Sequence, residues 1–376
     1  MQTYIIADNI ISPLGNTTLE NFNSVIERRS GIELISNSLS DNNSTYASRM
    51  ERMNADDDAS LSPYTYFEKL CILSIRDALS KISLKGSEKE TIFILSTTKG
   101  NIELIQNDTL ISKEQVSLDL TAQVISSYFE AANKPIVISN ACISGVLAII
   151  MAKRLLESGN YQHAIVVGAD VLSEFVLSGF KSLMAMSDEP CRPFDKDRKG
   201  VNLGEGAATV IMTTNKSWTD QNSVLVMGEG LTNDANHISG PSRTGQELAD
   251  AVQKAMKRSN VGINDLSFIS SHGTATIYND EMESKAFDLV GLNEIPVHSL
   301  KGYFGHTLGA AGVIESIMTI QSLRKKCVLV SKNYEQLGTS KGLNVNMEQA
   351  HSDKHHALKT ASGFGGCNAA LVYSTV

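Results

Sequence analysis

Short, uniformly apolar runs alternate along this chain with longer stretches whose apolar residues recur at helical spacing. Tyr4-Ile5-Ile6-Ala7, Thr91 to Leu95, Pro135 to Ile138 and Ala164 to Gly168 read as buried strands, too short and too evenly apolar for amphipathic helices. Between them, Leu19 to Arg28, Phe67 to Ile82, Gln115 to Ala131 and Gly145 to Leu156 carry the helical period. A turn-rich loop from Pro193 to Gly200 precedes a strand from Gly204 to Met212. The later chain repeats the order. Strands are predicted at Val224 to Met227, Leu266 to Ser270, Ile295 to Ser299 and Ala369 to Ser374, and helices at Gln246 to Arg258, Asp280 to Leu289 and Ala310 to Arg324. From Ser36 to Ser62 the composition turns to Ser, Asn and Asp, which predicts loop, with Asp56-Asp57-Asp58 as an exposed acidic cluster.

Strands alternating with helices predict an α/β fold in which helices pack between sheets. The most polar connector, Asn215 to Asn222, marks the expected boundary between residues 1–222 and residues 223–376. Each half holds a short strand feeding a small-residue corner and an apolar helix, at Cys142 and at Gly309-Ala310-Ala311-Gly312, a pattern of internal duplication.

Composition narrows the class. The 376 residues carry a net charge of −8 and no basic cluster that tracks phosphate backbones, so nucleic acid is not an expected partner. Five scattered cysteines without a CxxC pair speak against a disulfide framework or zinc site and for a reducing, cytoplasmic setting. No secretory pattern follows Met1, and no uncharged apolar run approaches the ~20 residues of a membrane span.

Candidate chemistry centres on Ser139-Asn140-Ala141-Cys142-Ile143-Ser144-Gly145, a tight corner between strand and helix. Cys142 at a helix start is either an inert buried thiol or a nucleophile whose thiolate the helix dipole favours. His272 follows an apolar strand and precedes Gly273, a position that suits either a structural role or a cleft-facing ring. Lys301 lies amid Gly, aromatic and apolar residues with His306 close behind; burying such a lysine is costly unless it is paired. Gly363-Phe364-Gly365-Gly366 is either a plain turn or a place where backbone N–H groups face a ligand.

Taken together, these stretches resemble the β-ketoacyl-acyl carrier protein synthases of the thiolase superfamily, in the subgroup with a Cys-His-His triad. The resemblance runs in order through Ser12-Pro13-Leu14-Gly15, Asn140 to Gly145, Pro193 to Ala207 and His272 to Thr276 with Asn279, Asp280 and Glu283. It continues through Ser299-Leu300-Lys301, Gly305 to Gly312 with Glu315, and Gly363 to Asn368. It implies a thiolase-like fold of two duplicated halves in αβαβα layers, the first carrying the nucleophile and the second the two histidines and the lysine. It also implies decarboxylative condensation of a Cys142-bound acyl chain with malonyl-carrier protein, in fatty acid or polyketide (aryl-polyene) elongation. On that resemblance Cys142, His272, His306 and Lys301 are the catalytic set, and Phe364 is gatekeeper and, with Cys142, supplies oxyanion-hole N–H groups. Asp280, Glu283 and Glu315 hold the network. No metal and no dissociable cofactor are implied, since the phosphopantetheine arrives on the acyl carrier protein. The expected assembly is a homodimer or a heterodimer with a ketosynthase homologue. The alternative is a non-catalytic chain-length-factor-like subunit, a class that typically lacks the active cysteine; a thiolase acting on coenzyme A thioesters has no counterpart of the Lys301-to-His306 motif.

The chain departs from that family's pattern in several places. Ala275 replaces a glycine, Ser362 stands where a second aromatic residue is common, and Cys367 where Thr or Ser is usual. Lys99 falls near a position that often lines the acyl pocket and reads as a surface lysine. The segment from Gly100 to Cys142 is short. Before the Phe67 to Ile82 helix, where relatives place basic residues for carrier docking, this chain has Asp56-Asp57-Asp58 and only Lys69 nearby. An alternative docking patch is Lys181, Arg192, Lys196, Arg198 and Lys199.

Overall fold

The computed structural model describes residues 1–36, 44–51, 58–106, 114–235 and 240–375. Its frame is a ten-stranded sheet. The first five strands are β1 (Thr3–Ile11), β2 (Thr91–Ser96), β3 (Ile136–Ile138), β4 (His163–Asp170) and β5 (Gly206–Thr213). The other five are β6 (Val224–Asn233), β7 (Leu266–Ser270), β8 (Val297–His298), β9 (His356–Gly363) and β10 (Cys367–Thr375).

Across the sheet the first set runs β3-β2-β4-β5-β1 and the second β8-β7-β9-β10-β6, the same relative order twice. Directions repeat as well. The three outer strands of each set are parallel, and the last two pairings are antiparallel. The sets join where Thr3, Tyr4 and Ile5 of β1 pair antiparallel with Val226, Leu225 and Val224 of β6.

The helices are α1 (Thr18–Ile26), α2 (Tyr66–Ser80), α3 (Leu118–Tyr128), α4 (Ser144–Glu157), α5 (Glu174–Ser182), α6 (Gln246–Ser259), α7 (Ile277–Leu289), α8 (Lys301–Phe304) and α9 (Ala311–Arg324). Helices α4 and α9 pack on each other and touch strands of both sets, so they form the middle layer. Helices α2 and α3 cover the outer face of the first set, and α6 with α7 that of the second. The result is the expected αβαβα arrangement. A helix between two sheets has no solvent face, which is why α9 is buried on nearly every side, from Ala311 to Leu323. Surface helix α6 instead buries one stripe, Leu248, Ala249, Ala251, Val252 and Ala255.

One contact places the two halves. At Gly145, near the start of α4, a Cβ atom would lie 2.7 Å from the Val313 nitrogen and 2.8 Å from the Gly312 Cα of α9. Only paired glycines let the two helix starts approach this closely.

Several expectations need correction. Ser44–Ser48 lies inside the stretch read as loop, yet it is a strand, antiparallel to Ile32–Ser36 and parallel to Leu203–Gly204. Its polar residues hid it, because backbone pairing rather than an apolar face defines it. Strand β6 extends six residues beyond Met227. Helix α5 and strand β9 were not anticipated; in β9 the buried Lys359-Thr360 pair interrupts the apolar pattern. Of the acidic cluster, Asp56 and Asp57 lie outside the described residues. Asp58 caps Ser60 and pairs with Arg76 at 2.8 Å, so its charge is partly neutralised.

Candidate active site

Cys142 sits in the corner between β3 and α4, behind Ala141, which holds the left-handed backbone (φ 44°). Such a conformation costs a non-glycine residue about 1 kcal/mol or more. Ser144 holds it in place: its Oγ accepts from the Asn140 N–H at 2.7 Å and donates to the Ala141 carbonyl at 2.6 Å. The corner aims the sulfur at two rings from the second half. The Cys142 Sγ and a ring nitrogen of each of His272 and His306 all lie within 4.8 Å of one another. The two imidazoles meet edge to face with centroids 5.2 Å apart.

His272 leaves the end of β7, and Glu283 of α7 fixes its backbone. One Glu283 oxygen accepts from the His272 N–H at 2.9 Å, the other from the Gly273 N–H at 2.6 Å and from Asn279 Nδ2 at 2.9 Å. Asp280 joins the loop before β5 to the same turn by accepting from the N–H groups of Phe194 (2.7 Å) and Thr274 (3.0 Å). Burial, with Glu283 beside it, pushes the Asp280 carboxyl up to about 7. Lys301, fully buried in α8, donates to the His272 carbonyl at 3.1 Å and pairs with Glu315 of α9. His306 precedes α9. Its Nδ1 accepts from the Leu308 N–H at 3.2 Å, so the neutral ring carries its proton on Nε2, which is buried without a partner among the described residues.

Burial, then the Lys301 ammonium, holds both imidazoles well below the ordinary histidine range, so both are neutral near pH 7. The thiol behaves differently from the expectation of a dipole-favoured thiolate. Cys142 lies two residues ahead of the first helical residue, Ser144, and burial pushes its thiol up to about 12. Lys301 and the Phe364 N–H facing the sulfur pull the other way without overcoming that burial. The resting site is a neutral thiol beside neutral imidazoles.

Phe364 heads the Phe364-Gly365-Gly366 turn between β9 and β10, where Gly365 and Gly366 take φ values of 86° and 77°. Its ring packs on Phe180 of α5 at 5.9 Å, and Phe180 also faces His306 at 6.4 Å. Cys142, His272, His306 and Phe364 line one cavity of about 350 Å³ with Met184, Ile277, Tyr278 and Ser362. Cys367 lies beside it, its sulfur 3.5 Å from the Phe364 carbonyl oxygen. Every residue of the sequence-derived set thus lies in this cavity or in the network behind it.

The sequence reading missed four supports. Asp170, at the end of β4, accepts from Thr97 Oγ1 (2.8 Å) and from the N–H groups of Thr98 (2.9 Å), Lys99 (3.1 Å) and Gly309 (2.7 Å), tying that loop to the turn before α9. The Asn202 carbonyl accepts from the His306 N–H at 2.7 Å. Phe180 backs the Phe364 ring. Lys359 sits under the histidines; a lysine within Ala357-Leu358-Lys359-Thr360-Ala361 was the available signal. The alternative docking patch is also thinner than expected. Arg198 is buried and donates to the Asp195, Gly338 and Ile277 carbonyls, and Lys199 is paired with Glu189. Lys99 is exposed, as read from the sequence.

With this geometry in hand, the chain can be set beside known proteins. Residues 92–217 match the sequence model described as "Beta-ketoacyl synthase, N-terminal domain", and residues 224–335 that of "Beta-ketoacyl synthase, C-terminal domain". A 3-oxoacyl-[acyl-carrier-protein] synthase 2 from Vibrio harveyi is 27% identical over 404 aligned positions, covering 98% of this chain and 97% of the relative. A β-ketoacyl synthase structure from Burkholderia phymatum superposes with a TM-score of 0.90 at 23% identity, covering 100% of this chain and 99% of the other. A ketosynthase solved with its chain length factor from Xenorhabdus doucetiae gives 0.89 at 23%, covering 100% and 98%. The chain belongs to the β-ketoacyl synthase family.

Two measurements test the site. Alkylation of Cys142 by iodoacetamide, followed by peptide mass, is expected to accelerate steadily from pH 7 to pH 10, because the thiol titrates near 12. A plateau below pH 8 would contradict the buried neutral thiol. Ala275 occupies left-handed backbone (φ 62°), so Ala275→Gly is expected to stabilise the fold by about 1 kcal/mol in urea unfolding. An unchanged or lowered midpoint would show that the turn carries no such strain.

Proposed function

We infer that this chain is a β-ketoacyl-acyl carrier protein synthase: it joins a Cys142-bound acyl chain to malonyl-carrier protein with loss of CO₂, in fatty acid or polyketide elongation. The observation that carries this reading is the meeting of one thiol and two neutral imidazoles at the base of a single cavity.

In the first transfer the Cys142 sulfur attacks the acyl thioester of the carrier; its proton passes to His272, since both nitrogens of His306 are already committed, and from there to the departing carrier thiolate. The Cys142 and Phe364 N–H groups receive the tetrahedral oxyanion, and the carrier thiol leaves. Malonyl-carrier protein then enters. Its carbon–carboxylate bond breaks, CO₂ departs, and the electron pair moves onto the thioester as an enolate. The Nε2–H of His306, together with His272, stabilises the enolate oxygen. The enolate carbon attacks the Cys142 thioester, the same oxyanion hole serves again, and the thiolate is expelled to leave a 3-ketoacyl chain on the carrier. Lys301 with Glu315, and Glu283 with Asp280, keep the two rings in register. These steps call for no metal and no dissociable cofactor, because the phosphopantetheine arm comes with the carrier. The presence of Cys142, His272, His306 and Lys301 together favours the enzyme over a chain-length-factor-like subunit.

We place the protein in the cytoplasm, a reading supported by five buried free cysteines. We also place it in a dimer, with a second copy or a ketosynthase homologue. The open sheet edge at β3 supports that assembly, with exposed Leu120 and Val124 on the neighbouring α3, as does the structural neighbour solved with its chain length factor.

Cys142→Ala is expected to abolish condensation, by at least a thousandfold, while the circular dichroism spectrum is kept. Cys142→Gln, whose amide stands in for the acyl thioester, is expected to keep releasing CO₂ from malonyl-carrier protein. Condensation by the alanine variant would mean the nucleophile is elsewhere.

A further inference from the structure

Lys359 of β9 is fully buried, and no step above uses it. Its Nζ donates to the Thr360 carbonyl at 2.6 Å, the Ser270 carbonyl at 3.2 Å and the Ser271 carbonyl at 3.3 Å, and forms an ion pair with Glu315 Oε2 at 2.8 Å. The other Glu315 oxygen holds Lys301, which in turn donates to the His272 carbonyl. One carboxylate therefore bridges two buried ammonium groups. Both ammonium groups grip the chain at the end of β7, one at Ser270 and Ser271, the other at the next residue, His272.

A lysine this deep is expensive, and ordinary packing does not call for it; an apolar side chain would fill the volume without the desolvation cost. What it brings is charge. Lys301 and Lys359 bring two positive charges behind the imidazoles, set against Glu315, which pairs with both, and Glu283, which holds the His272 N–H and Thr360 Oγ1. Without Lys359 a single positive charge faces those carboxylates. Burial lowers the Lys359 pKa, and Glu315 offsets that loss.

We propose that Lys359 is a positioning residue for the decarboxylation step: it fixes the strand end that carries His272 and supplies a second positive charge that the imidazoles and the developing enolate face. The proposal rests on the ketosynthase reading. The groups facing the two rings are Cys142 from the corner before α4, Lys301 from α8, Glu315 from α9, Glu283 and Asp280 from α7, and Lys359 from β9. Of these, Lys301 and Lys359 disfavour a second proton on either ring. Removing Lys359 therefore raises the pH at which the rings protonate.

The test is CO₂ release from malonyl-loaded acyl carrier protein, followed from pH 5 to pH 8 for the wild type, Lys359→Met and the double variant Lys359→Met with Glu315→Gln. The double variant removes both partners of the ion pair, which guards the fold, and restores the wild-type sum of charge over Lys301, Lys359 and Glu315. The methionine variant is expected to lose about tenfold or more in kcat with little change in KM, and its acid limb is expected to move to higher pH. In the double variant the acid limb is expected to return toward the wild-type position. A Lys359→Met profile that superposes on the wild type overturns the proposal. So does loss of activity with the acid limb unmoved, or failure of both variants to fold, since Lys359 then serves the fold alone. A wild-type protein that releases no CO₂ sinks the ketosynthase reading itself, a separate result.

Discussion

Gly145 and Gly312 lie back to back where the two middle-layer helices begin, and the site exists because neither has a side chain. Helix α4 follows the corner at the end of β3 and α9 follows the turn after α8, and each lead-in carries candidate chemistry: Cys142 ahead of α4, His306 ahead of α9. With the helix starts in backbone contact, the corners face each other across a few ångströms. Asp170 reinforces the arrangement by holding the Thr97 to Lys99 loop of one half to Gly309 of the other. The repeated strand order makes this possible, since two copies of one unit back to back bring their equivalent corners together.

Around that geometry the protein buries an unusual amount of charge. Lys301, Lys359, Glu315, Glu283 and Asp280 are all buried, each with partners, and each binds backbone as well as its counter-charge or serves a residue that does. Buried ion pairs of this kind contribute little net stability relative to apolar packing. They specify position. The same environment keeps two imidazoles neutral and a thiol protonated. Strain sits here too: Ala141 and Ala275, both in left-handed backbone, flank the thiol and follow His272.

How much of this was legible in the sequence depended on the physics of each element. Strand Leu266–Ser270 and helix Gln246–Ser259 could be read almost to the residue, because an apolar run and a clean amphipathic stripe report burial directly. Ser44–Ser48 and His356–Gly363 could not, since one is polar and the other hides a charged residue whose partners come from β7 and α9. The site residues were ambiguous one at a time; a cysteine at a corner or a lysine near glycines has more bland explanations than catalytic ones. Their order along the chain, matched to a family, made them a set. Lys359 escaped because its apolar neighbours Ala357, Leu358 and Ala361 mark a buried position without naming the distant partners that hold its charge, and Cys142 stayed open between buried thiol and thiolate because sequence alone does not measure burial against the helix dipole.

The central claim is that a single thiol of the first half carries the acyl chain while the second half generates the attacking carbon. Intact-mass analysis with peptide mapping, after incubation with an acyl-loaded carrier protein and then with malonyl-loaded carrier, tests this most directly. The account predicts one acyl adduct, on the Cys142 peptide, that disappears on the second addition as a 3-ketoacyl carrier forms. An adduct on Cys367 or any other residue, or one on Cys142 that malonyl-carrier protein leaves in place, would contradict it.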